Sequence, residues 1–140
     1  MTARFIQVDL EIEAVDSLAP VCEAFAESGL FELHHLQTER GYFAAFEMTV
    51  HGEAEEDASD DPEDFIAGFC GLIEEFGAEA RACWEGAFRK TFDIGYESTG
   101  VAGVFTSGLS PGLLSRMSAL GVSLGVTIYP PSVDAPVVIL

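Results

Sequence analysis

The sequence predicts an α/β sandwich, a mixed sheet of about five strands with helices packed on it. Three stretches carry that prediction. From Arg4 to Glu13, Ile6, Val8, Leu10 and Ile12 alternate with Gln7, Asp9, Glu11 and Glu13, the period of a strand with one buried face and an acidic outer one. After Pro62, the residues Phe65, Ile66, Phe69, Leu72, Ile73 and Phe76 recur at helical spacing. From Phe92 to Tyr129 the chain reads strand, helix, strand, a unit that normally closes as a right-handed parallel crossover.

Taken in order, the elements follow β-α-β-β, one or two helices, then β-α-β. Asp16 or Ser17 is placed to cap a helix running to Ser28, with Leu18, Val21, Cys22 and Phe25 inward and Gly29 at its end. Leu30 to Gln37 and Tyr42 to Val50 are strands joined by a turn at Arg40-Gly41, expected to form an antiparallel hairpin. Glu53 to Asp64 is an acidic surface loop, Pro62 opens the strongest helix, and Gly77 is expected to end it. Glu79 to Lys90 fits both helical spacing and strand alternation; its Ala, Glu, Arg and Lys content favours a short helix.

The last unit is built from clearer signals. Ser110-Pro111 is a helix start, with a side-chain oxygen for the orphan amides and a preset φ at the first position. Leu113, Leu114, Met117 and Leu120 follow, and Gly121 stops the helix as a left-handed cap. Val122, Leu124, Val126 and Ile128 alternate until Pro130-Pro131. Being nearly uncharged, Phe92 to Tyr129 is expected to be buried, with the acidic remainder folded around it. The apolar tail Val137 to Leu140 is expected to dock as an edge strand or in a homodimer contact.

The 140 residues suit a single domain with a sizeable core. No run is long enough to span a bilayer and no signal segment is evident, so a cytoplasmic protein is expected. Cys22, Cys70 and Cys83 form no CxxC pair and read as reduced, buried thiols. Charge is the strongest compositional signal: 24 acids against 6 bases, a formal net charge of −18. Up to Asp64 there are 17 acids and only Arg4 and Arg40; from Ser98 onward there is one acid, Asp134, and one base, Arg116. Phosphate binding needs a basic face, which disfavours nucleic acid and anionic membrane. A basic protein partner, steered by the field, fits instead.

No motif names a reaction. Gly108-Leu109-Ser110-Pro111-Gly112 matches the G-x-S-x-G nucleophile elbow, but no His follows it in chain order, and Ser110 as a helix cap explains the same residues. His34 and His35 are adjacent on a strand and point to opposite faces, and with His51 they show no metal-ligand spacing, so no metal site is expected. The acidic loop lacks the alternating pattern and central Gly of a calcium loop. Gly100, Gly103 and Gly108 carry no phosphate-loop signature. Asp93 and Glu97 share a strand face about 13 Å apart, too far for joint acid–base work; Asp93 is expected to bond backbone or Arg89. Trp84, Phe88, Tyr96 and Tyr129 are aromatics that would surround one end of the sheet, as core or as an anchor pocket for a partner, and Trp84, Phe92, Tyr96 and Tyr129 are the candidate ligand pocket. No cofactor is implied.

The C-terminal segment, with Arg89-x-x-Phe92-Asp93-Ile94-Gly95, a capped helix and Ile128-Tyr129-Pro130, resembles small bacterial α/β proteins. As a whole, a small acidic chain without a catalytic signature, it resembles immunity proteins paired with bacterial toxins. That resemblance implies a non-enzymatic inhibitor that caps its toxin's active site or a basic substrate groove. The expected partner-binding residues are Glu53, Glu55, Glu56, Asp57, Asp60, Asp61, Glu63 and Asp64, with the neighbouring acidic strand faces. The competing expectation is a small-molecule or enzymatic α/β domain using the aromatic pocket.

Overall fold

The computed structural model describes residues 2–48 and 61–131. The strands are β1 (Ala3–Ala14), β2 (Phe31–Thr38), β3 (Gly41–Met48), β4 (Arg89–Ser98) and β5 (Ser123–Tyr129). The helices are α1 (Ala19–Glu27), α2 (Pro62–Glu74), α3 (Ala78–Gly86) and α4 (Pro111–Ala119). The five strands form one mixed sheet in the order β2-β3-β1-β4-β5. The β2–β3 hairpin is antiparallel, β1 is antiparallel to both neighbours, and β4–β5 is the parallel pair.

The alternation of β1 builds the core. Val8, Leu10, Ile12 and Ala14 are buried on the face that the helices cover. A register shift between Phe5 and Gln7 flips the parity, so Phe5 also points inward and packs on Phe65 with ring centroids 5.3 Å apart. Phe25 of α1 links the layers, with centroids 4.7 Å from Phe46 of β3 and 5.2 Å from Phe76 beyond α2. Phe69 of α2 meets Phe92 of β4 at 5.4 Å. Rings at such separations add to the free energy of burying their area.

Several boundaries differ from the sequence reading. Helix α1 starts at Ala19 with Leu18 at its N-cap and no capping side chain; Ser17 Oγ accepts from the Ala19 amide instead. Helix α2 ends at Glu74, and Gly77, at φ −66°, is the N-cap of α3 rather than a left-handed stop. Residues 79–90 divide: α3 runs to Gly86, then Arg89 and Lys90 open β4, because their register partners Glu13 and Ile12 on β1 continue the ladder. Ser110 caps α4 as expected, its hydroxyl accepting from the Leu113 amide, and Gly121 lies at φ +71°.

The larger correction concerns the 92–129 segment. Strand β1, not this segment, is the centre of the sheet. Strand β4 is buried, but β5 is the outermost strand among the described residues. Its Leu124, Val126 and Ile128 face the helix side with 44%, 56% and 52% exposure. Alternation identifies a one-sided strand but not whether anything covers that side. The tail Val137 to Leu140 lies outside the described residues.

Two glycines test the hairpin and cap geometry. Gly41 sits at φ +134° where an added Cβ would fall 2.2 Å from the Ala14 carbonyl oxygen; Gly29, at φ +79°, has open space around it. Gly29→Ala should cost about 1 kcal/mol, the conformational penalty alone. Gly41→Ala should cost at least twice that by urea unfolding, and equal losses at the two sites would contradict the close approach of β1 to the turn.

Candidate functional site: the open face of the sheet

All four helices cover one face of the sheet, so among the described residues the odd-numbered side chains of β3, of β4 and of β1 from Gln7 onward, with Arg4 beyond the register shift, form an open face. The register sets these side chains in rows. Asp9 lies directly opposite Glu47 on one side and Asp93 on the other. Three carboxylates thus stand abreast on three adjacent strands, each neighbour about 5 Å away at Cβ, a pairing that destabilises a sheet. The next rows are compensated. Arg89 donates to Glu13 at 2.6 Å and to Glu11 at 3.5 Å, and Arg4 donates to Glu97 at 3.2 Å.

No ion pair reaches Asp9, Glu47 or Asp93 among the described residues. Asp93 is held by the Thr127 hydroxyl, which donates to its two oxygens at 2.9 and 3.0 Å, rather than by Arg89 or backbone as expected from sequence. Asp9 Oδ2 accepts from Gln7 Nε2 at 3.2 Å, while Asp9 Oδ1 is buried with no hydrogen-bond partner. Burial, then the charges of Glu47 and Asp93, push the Asp9 carboxyl up to about 6. The sheet therefore carries an ionised, half-buried carboxylate at neutral pH at a cost to its own stability.

Apolar groups flank the row. Leu36 of β2 is 53% exposed and pairs with Phe43 of β3 beyond Glu13. Tyr129, from the expected aromatic pocket, stands on this face beside Gly95 and Glu97, 41% exposed. The face thus combines acids with partly exposed aromatic and aliphatic side chains.

The other expected site residues separate. Glu53, Glu55, Glu56, Asp57 and Asp60 lie outside the described residues. Asp61 is the N-cap of α2, its side chain accepting from the Glu63 amide; Glu63 and Asp64 are in the first helical turn rather than in a loop. Carboxylates there complement the helix dipole, and Glu63 Oε1 also accepts from the Ser110 amide, tying α2 to the start of α4. Trp84 and Phe92 are core residues, and the Trp84 indole donates to the Leu120 carbonyl at 3.0 Å. Tyr96 borders a groove of about 390 Å³ between β5, α4 and the 105–109 segment, lined by Phe105, Leu109, Leu114, Leu124, Val126 and Ile128. Its hydroxyl bonds Ser107 Oγ at 2.5 Å.

The described geometry assembles no nucleophile. Burial pushes the Cys22 thiol up to about 12, helped by Glu32, and burial also raises Cys70 and Cys83. Protonated thiols are poor nucleophiles. Ser110 is engaged as a cap, its Oγ accepting from Leu113. Comparison of the chain with protein-family models, with curated proteins and with solved structures finds no match. The class defined by structure is therefore a two-layer α/β sandwich with an open, acidic sheet face.

Asp9→Asn removes the central charge and keeps the side chain's size. The folded pKa is raised, so ionised Asp9 destabilises the fold fully above pH 6 and not at all once both states are protonated, below about pH 4. Discounted for solvent screening of a half-exposed group, the variant should gain on the order of 1 kcal/mol at pH 7. Denaturant unfolding should show that gain vanish at pH 3.5, and a loss of stability at pH 7 would refute the uncompensated row.

Proposed function

We propose that the chain is a protein-binding module that docks a basic partner on the open face of its sheet, acting as an immunity or inhibitor protein that neutralises that partner. The observation that carries this reading is the Glu47–Asp9–Asp93 row: three carboxylates in register, without a cation among the described residues, the Asp9 carboxyl raised to about 6. A fold that keeps a destabilising charge row on a surface that no described element covers is trading stability for something done at that surface. Five further acids between Glu53 and Asp60 follow β3 in the sequence and add to the net negative charge. A Lys- or Arg-rich surface would supply the missing counter-charges, and Leu36, Phe43 and Tyr129 would supply apolar contact at the edges. The interaction would be fast and salt-sensitive, since screening acts over about 8 Å at physiological ionic strength.

The test compares the tagged wild-type chain with the Asp9→Asn/Glu47→Gln/Asp93→Asn variant in affinity capture from the native cytosol, followed by mass spectrometry. The expected result is stoichiometric retention of one basic protein by the wild type, weakened by salt, and at least about tenfold poorer retention by the variant. Equal retention by both would remove the open face from the interface. No retained protein at low salt would reject the docking reading.

The apolar groove favours a second reading, a small-molecule or enzymatic α/β domain. A cavity of about 390 Å³ with apolar walls and a Tyr96–Ser107 hydroxyl pair is of ligand size. Saturable one-to-one binding of an apolar fluorescent probe, abolished by Val126→Glu, would favour it over docking.

A further inference from the structure

A second constellation lies on the helix-covered side of the hairpin, away from the open face. Strand β2 is irregular between Glu32 and His34. In a regular strand, residues three apart point to opposite faces. The extra residue, Leu33, changes that parity: Glu32 pairs with Phe46 and His35 with Ala44, two of the β3 residues that face the helices. Glu32 and His35 therefore point to the same side, with His35 Nδ1 3.9 Å from Glu32 Oε1. Helix α1 passes over this point and presents Cys22. One ligand atom each from Cys22, Glu32 and His35 lies within 4.8 Å of the other two. His34 pairs with Ala45, on the opposite face, and takes no part.

We propose that Cys22, Glu32 and His35 form a binding site for a divalent transition metal of the zinc class. The donor set selects the ion. One thiolate sulfur and one imidazole nitrogen suit zinc, whereas calcium and magnesium take oxygen alone. Bond lengths of 2.0–2.3 Å place the ligand atoms of a tetrahedral site about 3.3–3.8 Å apart. The His35–Glu32 separation is already close to that, and rotamer adjustment closes the rest. Three protein ligands leave the fourth position for water or an incoming group, the arrangement of exchangeable rather than sealed zinc sites. Glu32 and His35 are partly exposed, which leaves the ion a path in, and the net charge of −18 raises its local concentration. A bound dication is also the local charge that lets the otherwise protonated Cys22 ionise.

The test must separate this site from the many exposed carboxylates, so its readout follows sulfur. Co²⁺ added to the full chain should give a thiolate-to-metal charge-transfer band in the near ultraviolet, saturating at one ion per chain and removed by one equivalent of Zn²⁺. Cys22→Ser should abolish the band. His35→Ala and Glu32→Gln should each weaken Co²⁺ binding by about tenfold or more, with the far-ultraviolet circular dichroism of every variant unchanged. Cys83→Ser should leave the band intact. The unmodified chain supplies a measurement that needs no variant: Zn²⁺ should raise its melting temperature where equimolar Ca²⁺ does not. Absence of the band, its survival in Cys22→Ser, its loss in Cys83→Ser, or equal stabilisation by Ca²⁺ would overturn the proposal.

Discussion

Everything in this fold depends on the strict two-residue period of β1. Its even positions from Val8 onward are apolar and its odd positions are polar or acidic, so the strand sits in the sheet in only one orientation. A slip by one residue would put Asp9, Glu11 and Glu13 into the aromatic core and Val8, Leu10 and Ile12 into water. Burying unpaired carboxylates costs several kcal/mol each. The same alternation that drives helices onto one face therefore guarantees that the opposite face is acidic. Core and open face are two consequences of one pattern.

Much of this was legible in the sequence because it depends on local chemistry. The β1 alternation, the hairpin, the α2 stripe, the Ser110-Pro111 start and the Gly121 stop each announce themselves within a dozen residues. What escaped depends on which strands become neighbours. Leu124, Val126 and Ile128 alternate like a covered strand, yet β5 lies at the end of the strand order, and the period says nothing about that. Glu79 to Lys90 stayed ambiguous because both periods fit; the ladder with β1 decides where the helix yields to strand.

The site followed the same division. That the outer side of β1 is acidic could be read directly. That Asp9 stands between Glu47 and Asp93 could not, since these residues come from strands separated by 38 and 84 positions and meet only through register. Trp84 and Phe92 were attractive as pocket walls, but both fill the core, while Tyr129 faces the open side and Tyr96 the groove. The grouping of Cys22 with Glu32 and His35 was hidden by a single inserted residue, because a regular strand would have placed Glu32 and His35 back to back.

The position of β5 at the margin of the sheet has a colloidal consequence. Its sequence, Ser123-Leu124-Gly125-Val126-Thr127-Ile128-Tyr129, carries no charge and no proline, the two devices that usually keep exposed strands from pairing with other chains. The repulsion between copies carrying a formal charge of −18 opposes such pairing at neutral pH. That repulsion fades as the pH approaches the pI of about 4.1, while the apolar strand is unaffected. Acidification would thus weaken the barrier to edge-to-edge association at β5, the uncharged margin among the described residues.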